Sequence, residues 1–429
     1  MLPLNASEKN KAASKIRVYP AQLGEQSSGR LRVRCTMAGL APIENATVRI
    51  SASGEPSSTV EQLTTDVSGL TGILSLPAPP IEYSMEPSEV QPYSQYNITI
   101  SAPGYETVSI TNAELLPNVT AMQDATLLPS TIQDSTLYVI PPHTLYGDYP
   151  PKIAEAEIKP TSETGAIVLP GVVIPEFIIV HDGPPSSTAE NYYIRFRDYI
   201  KNVACSEIYA TWPETTIFAN VLAILSFTLN RVYTEWYYNQ GYNFNVTSST
   251  AFDHKWMRGR NIFNTIGTAV DAIFVNYLSR PNVKQPILTQ YCDGNRVQCP
   301  NWMTQWGSKY LGDKGYSPIE ILRYYYGDSM YISTAKEVSG VPASWPGYNL
   351  TIGTRGDNVR LIQSQLNRIT EAYPALPKIA VDGVYGPRTA ATVKTFQSIF
   401  DLPQTGVVDF ATWYKISGIY VAVTRIAEL

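Results

Sequence analysis

The stretch "VACSEIYATWP", residues 203–213, ends an apolar run on one carboxylate, Glu207, just ahead of Trp212 and Pro213. A carboxyl in that setting can act as a general acid, because partial burial disfavours the charged form and keeps a proton available. The competing reading is structural: Arg195, Arg197 and Lys201 lie close in sequence, and glutamates at helix ends are commonly ion-paired or capping. Two other chemistries are open to this part of the chain. Cys205 with His181 or His254 would make a thiol nucleophile and its base, although a lone helical cysteine reads as core and neither histidine has a thiol-protease context. Cys292, Cys299 and His254 would supply metal donors, but six residues separate the cysteines, wider than the usual pairs of structural zinc sites. Free thiols or a local disulfide fit that spacing as well. Asp253, beside His254, reads as half of a hydrogen-bonded surface pair.

Helices must position these groups. Phe196, Ile200, Val203 and Glu207 are spaced by four, three and four, so the glutamate continues the apolar stripe of its helix and is expected to be shielded from water. A second helix starts just beyond. Pro213 suits its first position, Glu214 favours the positive N-terminal end, and Ile217, Val221, Leu225, Leu229 and Val232 share one face. Asn220, Ser226, Thr228, Asn230 and Arg231 interrupt this run, which therefore reads as a buried helix rather than a membrane span.

Upstream, residues 30–127 read as an all-β sandwich. "LRVRCTMAG" and "NATVRISAS" alternate with period two, "DVSGLTG" is a turn, and "YNITISAPGYETVSI" gives two more short strands. Polar, proline-marked residues 128–163 read as an extended connector open to proteolysis. Strand-like segments in "GAIVLPGVVIPEFIIVHDG" open a mixed region over 164–335, followed by a linker at 336–349. Residues 350–418 form a last unit, with 1–29 as a leader and 419–429 as a tail. The expected fold is thus multidomain α+β: a β-sandwich, a mixed α/β core and a small three-helix domain.

Composition narrows the function classes. The 429 residues carry 32 Lys+Arg against 37 Asp+Glu, a formal net charge of −5 with no long basic block, so no nucleic-acid footprint is present. The 29 tyrosines suit either a surface for neutral polymers or ordinary core packing. The start, "MLPLNASEKNKAASKIRVYP", shows no basic stretch leading into an apolar one, and no secretory signal is expected from it.

In the last unit Val359, Ile362, Leu366 and Ile369 share a helical face, "DGVYGPRT" turns into a helix near Pro387, and Val393, Phe396 and Phe400 continue the core ahead of "DFATWYKI". These motifs closely resemble the peptidoglycan-binding domains found beside cell-wall hydrolases. That resemblance implies cell-wall binding, with Gly383, Gly386 and Trp413 fixing the fold and Asp382, Tyr385 and Arg388 as candidate ligand contacts. "GLAPIENATVRI" through "YNITISAPGYETVSI" resembles the carboxypeptidase-regulatory-like sandwiches, which are non-catalytic. "RFRDYIKNVACSEIYATWPETTIFANVLAILSFTLNRVY" and "NWMTQWGSKYLGDKGYSPIEILRYYYGDS" resemble the stage II sporulation protein D family of lytic transglycosylases.

The whole order resembles the spore cortex-lytic enzymes of anaerobic endospore-formers. The resemblance implies that Glu207 is the catalytic acid, with Tyr291, Thr304 and Gln305 lining a glycan cleft. It implies no cofactor and no essential metal, since "TSSTAFDHKW" lacks the Cys and His ligands of metal-binding relatives; Thr304 replaces the family's usual serine. The reaction it implies needs one carboxylate, which protonates the bridging oxygen and then takes the proton of the muramic 6-hydroxyl as that attacks the anomeric carbon. This departs from the two-carboxylate hydrolase scheme. The sandwich would be a pro-segment removed by a subtilisin-like germination protease cutting within about 127–150, near Gln133. The implied location is the spore cortex, after synthesis in the mother cell. Amide cleavage between muramic acid and its peptide, and a non-catalytic cortex-binding role, are the alternatives.

Overall fold

The computed structural model describes residues 27–37, 41–130, 135–145, 169–297, 299 and 302–424. Strands fill the first part of the chain, strands and helices mix in the middle, and helices close it, a mixed α+β arrangement. Eight strands occupy its first third: β1 (Ser28–Thr36), β2 (Thr47–Ala52), β3 (Thr59–Thr64), β4 (Leu74–Pro77), β5 (Ser94–Ser101), β6 (Thr107–Leu115), β7 (Thr120–Thr126) and β8 (Ser135–Val139). Period-two alternation buries Leu31, Val33 and Cys35 of β1 with Val48, Ile50, Ile98, Ile100, Val108 and Ile110, forming one core between two sheets.

One sheet has the order β3-β2-β5-β6-β8. Its last strand departs from the connector expected over 128–163, because residues 135–139 pair in parallel with β6, Thr107 opposite Ser135 and Thr111 opposite Val139. Backbone pairing holds this edge, with the Thr136 hydroxyl donating to Glu106 at 2.7 Å. Leu137 and Val139 stay exposed, so the segment carries no apolar signature of a packed element. The other sheet runs β7-β1-β4 and gains a fourth member from far along the chain: residues Ile262–Phe263 pair antiparallel with β7.

The middle region holds α1 (Phe196–Glu207), α2 (Glu214–Tyr233), α3 (Asn264–Ile273), α4 (Gln305–Asp313) and α5 (Pro318–Tyr326). Helix α2 begins one residue later than the sequence suggests, with Pro213 at the capping position, where its carbonyl accepts the N–H of Ile217 at 3.0 Å. By length and composition α2 is apolar enough to cross a membrane, yet 89% of its most apolar 18-residue window is buried inside the fold. Its polar interruptions anchor the surrounding chain. Asn220 donates to Ser308, Ser226 to the carbonyl of Ile287, Asn230 to that of Pro286, and Arg231 to Asp253.

Three further helices, α6 (Asp357–Ile369), α7 (Pro387–Ile399) and α8 (Phe410–Thr424), bury Val359, Ile362, Leu366, Val393, Phe396 and Trp413 between them, in a core continuous with that of the middle region through Phe274 on Phe410 and Tyr414. Helix α8 runs past residue 418, where a tail was expected, because Ile419, Val421 and Ala422 bury on its continuing face. Arg34 of β1 reaches this unit, pairing with Asp401 and donating to the carbonyl of Ile399 at 3.1 Å.

Candidate active site around Glu207

Helix α1 buries ten of its twelve residues, Glu207 at its last position among them. The chain then turns extended at Ile208, so the carboxylate projects where helix gives way to loop. Glu207 Oε1 accepts the backbone N–H of Lys255 at 2.7 Å, and Oε2 accepts from Gln305 Nε2 at 3.0 Å. The same Gln305 nitrogen donates to the Glu207 carbonyl at 2.7 Å, while Gln305 Oε1 is buried with no hydrogen-bond partner among the described residues. Both donors fix the carboxyl's direction; neither is a counter-charge.

Gln305 opens α4, and Thr304 stands at the helix's N-terminal boundary with its hydroxyl 3.1 Å from that of Tyr325. Close packing of this wall depends on Gly294. Its φ of +78° is a glycine conformation, and a Cβ there would lie 2.4 Å from that of Thr304. Asp293 shapes the same loop by accepting the N–H groups of Asn295, Arg296 and Val297, and Cys292 and Cys299 close it as a disulfide, one of the states their spacing allowed.

Tyr291 is 4% exposed and stacks on His254, ring centroids 5.6 Å apart, so it backs the site from within the core and does not line an open cleft. Asp253 is not at the surface either. It is buried and accepts from Arg231, from the hydroxyl of Tyr237, and from both N–H and hydroxyl of Thr247. Cys205 is fully buried, its thiol pushed up to about 11 by burial, which keeps it protonated at neutral pH and removes it as a nucleophile. Gln133 lies outside the described residues.

An aromatic group begins in the sequence motif of Glu207 and takes in Trp306, the neighbour of Gln305. Tyr209, Trp212 and Trp306 gather with centroids 5.0–6.2 Å apart, and Trp212 Nε1 donates to the carbonyl of Ser84 in the sandwich at 2.8 Å. The connector crosses this face. His143 packs on Tyr209 at 4.9 Å, and Lys255 Nζ donates to the carbonyl of Pro142 at 2.8 Å. Burial pushes the Lys255 ammonium down to about 8, although Glu207 pulls the other way.

Behind the connector is a dry ionic cluster absent from the sequence reading. Arg260 faces Glu114 of β6 at 2.8 Å and donates to His143 Nδ1 at 3.1 Å and to the Cys205 carbonyl at 2.6 Å. All three charged or titratable side chains are wholly buried. Desolvation holds His143 down to about 4, whereas Arg260 and His143 outweigh burial and lower the Glu114 carboxyl. A strand of the sandwich, the connector and the helix bearing Glu207 thus share one polar network.

Among the described residues no group of three or more His, Cys, Asp or Glu could hold a metal ion. The three histidines lie apart: His143 on Glu114, His181 between Asn191 and Ser187, and His254 against Phe227 and Tyr291.

The sequence-nominated contacts in the C-terminal unit separate. Asp382 accepts from the Val384 N–H at 2.8 Å and from Gln363 at 3.0 Å, which lowers its carboxyl and fixes the turn. Tyr385 is fully buried and donates to the carbonyl of Gly406 at 2.8 Å, so it is core and cannot touch a ligand. Arg388 is exposed.

Residues 355–416 match the family described as "Putative peptidoglycan binding domain". The zinc D-Ala-D-Ala carboxypeptidase of Streptomyces albus G is 36% identical over 74 residues, 17% of this chain; the chain spans about a quarter (27%) of that relative. No donor set fitting its zinc ion occurs among the described residues. These matches support a cell-wall-related protein that carries a peptidoglycan-binding domain. Among solved structures, the TIE protein of Bacillus anthracis is similar at 15% identity and TM-score 0.17, covering 24% of this chain and 17% of its own. The minor pilin of Streptococcus agalactiae is similar at 12% identity and TM-score 0.18, covering 25% and 47%. Likeness at that level carries no argument.

Proposed function

We propose that this chain is the precursor of a peptidoglycan lytic transglycosylase that cuts the glycan strands of spore cortex during germination. The observation that carries the reading is Glu207: a buried carboxylate at a helix end, aimed by the Lys255 N–H and Gln305 next to Tyr209, Trp212 and Trp306, of which Tyr209 and Trp212 are buried under the connector and sandwich in the intact chain.

Protonated Glu207 gives its proton to the glycosidic oxygen as the C1–O bond breaks. The muramic 6-hydroxyl oxygen forms the new bond to C1, and ionised Glu207 takes the hydroxyl proton, which returns it to its starting state. The product carries a 1,6-anhydro ring, and no water is consumed. The sandwich and connector cover this face through Ser84, Pro142 and His143, consistent with a precursor activated when a subtilisin-like protease cuts the connector. The C-terminal unit holds the enzyme on its polymer.

Mass spectrometry of cortex fragments released by the connector-cut protein tests this reading. Anhydromuramic ends support it. Free stem peptides would replace it with amide cleavage, and intact cortex would leave a binding role.

A further inference from the structure

Lys255 grips two things at once. Its backbone N–H holds Glu207, and its ammonium holds a peptide carbonyl, that of Pro142, at 2.8 Å. The segment supplying that carbonyl begins "PPHT": Pro141 and Pro142 have no N–H, so the connector meets the ammonium with a carbonyl acceptor flanked by compact rings. Next to it, His143 lies against Tyr209 in the aromatic group. A crevice lined by Tyr93, Pro142, His143, Tyr209, Arg296 and Trp306 continues away from the contact. A carbonyl oxygen on a cation, beside rings packed on aromatic side chains, is also what an N-acetylated amino sugar presents.

We infer that Lys255 is a substrate-binding residue that recognises the acetamido carbonyl oxygen of the sugar beside Glu207, and that Pro141–Thr144 occupy that subsite in the intact chain. The inference rests on the glycan-cleaving reading and assigns the side of Glu207 on which the sugar's amide lies. Lys255 is half-buried, so a neutral carbonyl is a suitable partner for an ammonium that must give up much of its water. Its attachment to Glu207 through the backbone leaves the side chain free to exchange one carbonyl for another without disturbing the carboxyl.

The test measures binding, not cleavage, in full-length Glu207→Gln protein. Titration with N-acetylglucosamine tetramer and with cellotetraose, which carries hydroxyls in place of acetamido groups, separates amide recognition from ring stacking. Replacing Pro141–Thr144 by four glycines should tighten the acetylated tetramer about tenfold. Adding Lys255→Met should remove that gain, Lys255→Arg should keep most of it, and cellotetraose should respond to neither Lys255 variant. Equal affinity with Lys and Met at 255, equal losses for both sugars, or no gain on opening the connector would each overturn the inference. If the tetraglycine chain does not fold, connector-cut protein with all fragments retained takes its place in the same titrations. Digestion of cortex by Glu207→Gln would instead overturn the catalytic reading, so the two failures are distinguishable.

Discussion

Gln305 donates twice to Glu207 through one amide nitrogen, at 2.7 Å to its backbone carbonyl and at 3.0 Å to its carboxylate. One side chain thereby ties off the carbonyl at the end of α1 and sets the rotation of the carboxyl. Gln305→Leu should lose both functions. Cleavage should fall on the order of 10²-fold through misplacement of the acid, and stability should drop by about 1–3 kcal/mol because buried acceptors lose a donor. Kinetics alongside denaturant unfolding check this; full activity with lowered stability would make Gln305 purely structural.

Glu114 and Arg260 form a charge pair with no solvent contact, joining β6 to the segment that pairs with β7. Glu114→Ala leaves the guanidinium buried without its counter-charge and should cost ~3–5 kcal/mol. The loss should appear as a weaker attachment of the sandwich. Hydrogen exchange in β6 and β7, compared with the C-terminal unit, reads this directly: the strands should lose protection while α6–α8 keep theirs.

His143 gives that attachment a pH dependence with a definite sign. Its folded value of about 4 lies below the ordinary 6.5, so the unfolded chain binds the extra proton. Stability from this group is fully present above about 6.5 and is lost as pH falls through the interval to about 4. The thermal midpoint should decline more steeply across that window in wild type than in His143→Gln. Parallel curves would show that His143 contributes nothing to the acid response.

In the C-terminal unit the buried Tyr385 and the exposed Arg388 should behave oppositely. Tyr385→Phe strands the Gly406 carbonyl and should destabilise the unit by ~1 kcal/mol with little change in retention on peptidoglycan once folded. Arg388→Ala should leave stability unchanged and weaken retention. Co-sedimentation with purified sacculi, paired with thermal unfolding, distinguishes the two.

Periodicity carried much of this site. The stripe Phe196–Ile200–Val203–Glu207 is buried as its spacing requires, and the Trp212 and Trp306 motifs meet in space. Lys255 was not legible, because it holds Glu207 through a backbone N–H, a role that any non-proline residue type could fill. The cluster of Glu114, His143 and Arg260 was invisible for another reason: its members come from a strand, a connector and a loop that only the tertiary fold brings together. Tyr291 and Tyr385 misled because an aromatic in a motif looks the same whether it packs in the core or faces a ligand, and both are buried. Strand β8 escaped notice since edge pairing is made by the backbone.

In the proposed function Glu207 alone supplies the proton traffic of glycan cleavage. Cortex digested in parallel by connector-cut wild type and by Glu207→Gln, with the fragments weighed by mass spectrometry, tests it most directly. Wild type should release glycans ending in 1,6-anhydromuramic acid, and Glu207→Gln, folded to the same thermal midpoint, should release none. Equal digestion by the two proteins, or wild-type products with ordinary reducing ends, would contradict it.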